Sequence, residues 1–70
     1  MAVIDTRGLF PPEPFERIID ALRSLKAGER LEVVLDREPL PLFRFLDRND
    51  YRYETVARTS DRVELVIWEP

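Results

Sequence analysis

Seventy residues read as a single domain spanning 1–70, near the size at which one hydrophobic core only just outweighs chain entropy. The chain has no cysteine and no histidine, which excludes disulfides, thiolate or imidazole metal sites, a thiol nucleophile and the usual neutral-pH proton shuttle. Fourteen acidic residues against eleven basic ones leave a net charge of -3, the wrong sign for affinity drawn from releasing counterions from nucleic-acid phosphate.

Apolar runs fall far below the roughly 18 residues that span a bilayer, and Met1-Ala2-Val3-Ile4-Asp5 lacks the layout of a signal peptide, so a soluble cytoplasmic protein that touches no membrane is expected. All basic residues but Lys26 are Arg, Gln is absent and Asn49 is the only Asn, a composition found where thermolabile amides are avoided.

In chain order, Ala2 to Asp5 form a short first strand ended by the turn Thr6-Arg7-Gly8. From Pro12, Phe15, Ile18, Ile19, Leu22 and Leu25 recur at the spacing of a helix packed on one side. Pro12 and Pro14 suit its first turn, Lys26 its last, and Gly28 its left-handed C-cap. Arg30 to Leu35 alternates, with Leu31, Val33 and Leu35 on one face and Glu32 and Val34 on the other. After the polar connection Asp36-Arg37-Glu38-Pro39, Leu40, Leu42, Phe43 and Leu46 mark a second helix ending near Asn49-Asp50. Tyr51 to Ala57 and Arg62 to Trp68 are strands joined by the hairpin loop Thr59-Ser60-Asp61.

The order βαβαββ predicts an α+β, two-layer sandwich with both helices on one face of a four-stranded mixed sheet. The other face is then open to water or to a partner. It carries Val34, Val66 and Trp68, with either Val56 or the pair Tyr51 and Tyr53, because the third strand does not declare its register. Such an apolar patch fits a protein partner. Closure of a homodimer, or long Arg and Glu side chains folded over the patch, are the alternatives.

A second candidate lies in the loops. The turn after the first strand and the loop after the second leave the same edge of parallel neighbours, which would gather Asp5, Arg7, Glu13, Asp36, Arg37 and Glu38. A small-ligand or enzymatic site there would rest on Arg7, Glu13, Asp36 and Arg37; an ion-paired, solvated rim is the plain alternative. The first helix is a poor anion site, since Pro11, Pro12 and Pro14 remove N–H donors and Glu13 and Glu16 add negative charge. Elsewhere, spacings such as Glu13 to Arg17 and Asp20 to Arg23 read as a solvated helix face rather than a basic stripe.

The opening Ile4-Asp5-Thr6-Arg7-Gly8-Leu9-Phe10-Pro11-Pro12-Glu13-Pro14 resembles the TusA/SirA-like sulfur-carrier superfamily, in which a strand and a Gly-Leu lead into Cys-Pro-x-Pro at a helix start. Pro11 stands where the cysteine would be. Leu25-Lys26-Ala27-Gly28-Glu29-Arg30-Leu31 resembles the same superfamily's entry into the second strand. Closer still is an uncharacterised bacterial branch, a domain of unknown function, similar in Asp5-x-Arg7-Gly8, in Pro12 to Ile18 and in Glu38 to Leu42. Where that branch often reads His-Asp-Pro, this chain has Arg37-Glu38-Pro39. The resemblance implies the sandwich fold and a redox or sulfur-handling protein partner; no cofactor is expected. Without the cysteine it implies a chain that carries no sulfur itself and has no catalytic residue or metal ligand to assign. The superfamily fold is also similar to the C-terminal domain of translation initiation factor three, but fold alone is weak ground for RNA binding by an acidic chain.

Overall fold

The structure is a computed structural model and describes residues 2–70. The elements are β1 (Ala2–Asp5), α1 (Glu13–Arg23), β2 (Arg30–Leu35), α2 (Leu40–Arg48), β3 (Arg52–Arg58) and β4 (Val63–Trp68). The sheet order is β1-β2-β4-β3, with β1 parallel to β2 and the other pairs antiparallel, which is the mixed sheet the chain order predicts.

Alternation decides which face is covered. Leu31, Val33 and Leu35 of β2 and Val63, Leu65 and Ile67 of β4 are buried, and the helices bury Ile18, Leu22, Leu42 and Leu46 against them. Both helices therefore lie on one face, and this single cluster is the core. Ile4, Tyr51 and Tyr53 pack at its border. Aromatic pairs tie the layers and helices together: Phe43 stacks on Tyr53 at 5.0 Å, and Phe15 meets Phe45 edge-on at 5.9 Å. The Tyr53 hydroxyl donates to Asp47 Oδ1 at 3.0 Å; burial and that carboxylate both push the phenol's pKa up.

Several boundaries differ from the sequence reading. Helix α1 stops at Arg23, with Ser24 as its C-cap donating to Ala21 O, so Lys26 and Gly28 lie beyond it. Gly28 does adopt the left-handed region, at φ +87°, but in the turn that enters β2. In α2, Leu40 at the first position is exposed, and Phe45 takes the packing role expected of it. Asp50 supplies the positive φ, 62°, that closes the helix into β3. Strand β3 resolves in favour of neither uniform register. Tyr53 and Thr55 face the helices, then the register shifts between Thr55 and Ala57, leaving Val56 exposed.

Candidate functional site

Because β1 and β2 are parallel, both following loops leave the same edge of the sheet and are pinned to each other there. Thr6 is buried, and its N–H and hydroxyl both donate to Val34 O at 2.8 Å. Two residues on, Gly8 takes a left-handed φ of +83°, which a glycine adopts without strain, and its N–H donates to Asp36 Oδ2 at 2.9 Å. The chain beyond this double anchor swings outward as Leu9-Phe10-Pro11-Pro12 before α1 begins. Between it and the loop 36–39 lies a cavity of about 490 Å³.

The cavity is apolar on both sides. Leu9, Phe10, Pro11 and Pro12 form one wall, Pro39 and Pro41 belong to the other, and Ile18, Leu35 and Leu42 reach it from the core. With Pro14, five prolines line it, and none offers an N–H. The polar groups that do line it are mostly committed. Thr6 and Gly8 donate as described, Asp36 accepts from Gly8, and Glu38 pairs with Arg58. Arg37 lines the cavity, is exposed, and has no ion pair among the described residues. Phe10 is 86 % exposed, so its ring stands in solvent at the rim of the cavity.

The four rim residues expected to converge divide between three environments. Asp36 and Arg37 line the cavity; Arg7 and Glu13 do not. Arg7 turns to Asp5, with Nη2 at 2.8 Å from Oδ2 and Nε at 3.0 Å from Oδ1, and its backbone N–H also donates to Oδ1 at 3.0 Å. Those bonds, the side-chain ones foremost, hold the Asp5 carboxyl down at about 2, and the same carboxylate raises Arg7. Glu13 sits exposed on the first turn of α1, and the Glu13 to Arg17 pairing is absent among the described residues, whereas Asp20 and Arg23 do pair at 3.4 Å. The N–H of Glu13 donates to Phe10 O, which takes away one of the few donors at that helix start.

On the uncovered sheet face, Val34, Val66 and Trp68 are all present and half-buried. The register brackets each with charge. Val34 lies between Asp5 and Glu64, Val66 between Glu32 and Glu54, and Trp68 between Arg30 and Arg52. The Arg30 guanidinium lies 4.4 Å from the centre of the Trp68 ring, a cation–π contact that covers part of the indole. Tyr51 and Tyr53 belong to the helix side and contribute nothing to this face.

Two comparisons and a family assignment bear on the site. Residues 3–69 match the family described as "Uncharacterized conserved protein (DUF2249)". The chain belongs to that family. It is 35 % identical over 69 residues to the "Putative sulfur carrier protein MJ0990" of Methanocaldococcus jannaschii, covering 96 % of this chain and 92 % of that one. The crystal structure of the SirA-like protein from Desulfitobacterium hafniense superposes with a TM-score of 0.81 at 27 % identity, covering 96 % of this chain and 95 % of the other. This DUF2249 chain is thus a cysteine-less member of a branch of the TusA/SirA-like superfamily. In the Cys-Pro-x-Pro pattern that it resembles, the cysteine position is Pro11, a residue of the cavity wall. Among the described residues no cluster of carboxylates is arranged to hold a metal, and no helix is long and apolar enough to cross a membrane.

The cavity and Phe10 were not singled out in the sequence. The signal that points to them is the apolar run Leu9-Phe10, which the helix stripe does not use and which no strand needs.

Proposed function

We propose that this chain is a non-catalytic binding module, related to sulfur carriers, that docks a sulfur-handling or redox protein or a small ligand at the cavity between the β1–α1 and β2–α2 loops and carries no sulfur itself. The observation that carries this reading is the apolar cavity at the Cys-Pro-x-Pro position, walled by Pro11 and rimmed by the exposed Phe10. A cavity of about 490 Å³ falls within the roughly 300–1,000 Å³ of small-molecule sites, and its proline-rich wall is stiff before anything binds. Proline at the position of the pattern's cysteine offers neither nucleophile nor thiolate, so this surface is left to bind rather than to carry sulfur. The sheet face supports docking less well, because charges bracket each of its three apolar residues.

The test compares pull-downs with the wild type, Phe10→Asp and Val66→Glu, after confirming by circular dichroism that all three fold. A sulfur-handling or redox protein held by the wild type and Val66→Glu but lost by Phe10→Asp supports the cavity. Loss with Val66→Glu alone moves the site to the sheet face. Radioactive sulfur appearing on the chain after incubation with a cysteine desulfurase and labelled cysteine would refute the non-carrier reading.

A further inference from the structure

We infer that the cavity takes a small amphipathic anion, an apolar aromatic or alkyl body ending in a single carboxylate, with Arg37 as the group that recognises the charge. This rests on the proposed binding role of the cavity and adds the chemical class of its ligand.

Charge complementarity is the argument. Of the two acids that line the cavity, Glu38 is paired with Arg58 and Asp36 spends Oδ2 on the Gly8 N–H. Arg37 is the one lining cation, and it has no ion pair among the described residues. A guanidinium in that state can give two parallel N–H bonds to a carboxylate without first breaking a contact within the protein. The rest of the wall argues for what the anion is attached to. Five prolines withhold donors, and the Thr6 hydroxyl and Gly8 N–H are engaged elsewhere, so the wall has few donors to give a ligand rich in carbonyl groups. Leu9, Pro11, Leu35 and Leu42 match an apolar body, and Phe10 is left in water at the rim where it would fold over one. Phosphate is disfavoured, since Arg37 offsets one negative charge and the second charge of a dianion would face the Asp36 carboxylate with no further lining cation.

The experiment titrates the ¹⁵N-labelled chain with 4-phenylbutyrate, 4-phenylbutanol and 4-phenylbutylamine and follows backbone amide shifts. The expected result is saturable shifts at Gly8, Leu9, Phe10, Arg37 and Glu38 for the carboxylate, about tenfold tighter than for the alcohol and tighter again than for the amine. Arg37→Gln should bring the carboxylate to the affinity of the alcohol without changing the alcohol itself, and Phe10→Ala should weaken both. Equal binding of alcohol and carboxylate overturns the anion inference and leaves the apolar pocket standing. Saturable shifts on the open sheet face instead, or none for any of the three probes, overturn the inference; the docking role is then decided separately by the pull-down.

Discussion

Thr6 is where the cavity's geometry and the protein's stability meet, and Thr6→Val isolates one bond. The hydroxyl donates to Val34 O at 2.8 Å, and the Thr6 N–H donates to the same oxygen at 2.8 Å. Valine keeps the shape and the backbone bond while deleting the hydroxyl. Val34 O therefore keeps a partner, and the added penalty of about 1–3 kcal/mol for an orphaned buried group does not arise. The expected loss is the net value of one hydrogen bond, about 1 kcal/mol. For a domain of this size that lowers Tm by roughly 4–8 °C. Urea and thermal unfolding followed by far-UV circular dichroism and by Trp68 fluorescence give both numbers. An unchanged or raised Tm would refute the reasoning, since the hydroxyl would then contribute nothing that a methyl does not. A loss above about 3 kcal/mol would also refute it, because it would require the acceptor or the loop to come apart.

Three further outcomes follow from the same geometry. Leu46 is fully buried, so Leu46→Ala should cost about 2–5 kcal/mol, a large part of the roughly 4–10 kcal/mol expected of 70 residues, and leave a sizeable unfolded fraction by urea titration; a loss under about 1 kcal/mol would contradict its central place. Arg30→Ala should remove about 0.5–1 kcal/mol of cation–π contact and shift the emission of the single Trp to longer wavelength; unchanged emission would mean that Arg30 does not cover the indole. The Asp5 carboxyl titrates at about 2, below its ordinary 3.8, so the stability linked to it is present above 3.8 and is lost as pH falls toward 2. Arg7→Ala should raise that midpoint, read from the carboxyl carbon shift against pH, and a midpoint that stays near 2 would discount the ion pair.

Much of the architecture is legible because the two periods are clean. The alternation of Leu31, Val33 and Leu35 and the stripe through Phe15, Ile18 and Leu22 each assign one face without help from the rest of the chain. Strand β3 was not legible for a definite reason: a bulge between Thr55 and Ala57 breaks its period of two, so neither Val56 nor the tyrosines could declare a face for the whole strand. Helix α1 reads long because Leu25 continues the stripe after the backbone has already turned at Ser24.

The site was legible only in part. That the first two loops meet follows from parallel neighbours, but which side chains face the gap depends on local bonds no periodicity reports. Arg7 is turned away by Asp5 two residues before it, whereas Gly8 and Asp36 draw the loops together across 28 residues of sequence. Prolines that read as helix-start chemistry are at the same time the cavity wall, a double use visible only once both loops are in place. The charges that bracket Val34, Val66 and Trp68 likewise come from other strands, so the apolar content of one strand says little about how apolar the sheet face is.

The measurement that tests the central claim most directly is the footprint of the captured partner on this chain. The purified partner is added to ¹⁵N-labelled protein and the perturbed amides are mapped. The account predicts a cluster within 8–15 and 35–42, the two loops that enclose the cavity. Perturbations confined to Glu32, Glu54, Val66 and Trp68 would contradict it, because the docking surface would then be the open face of the sheet and the cavity a by-product of the loops.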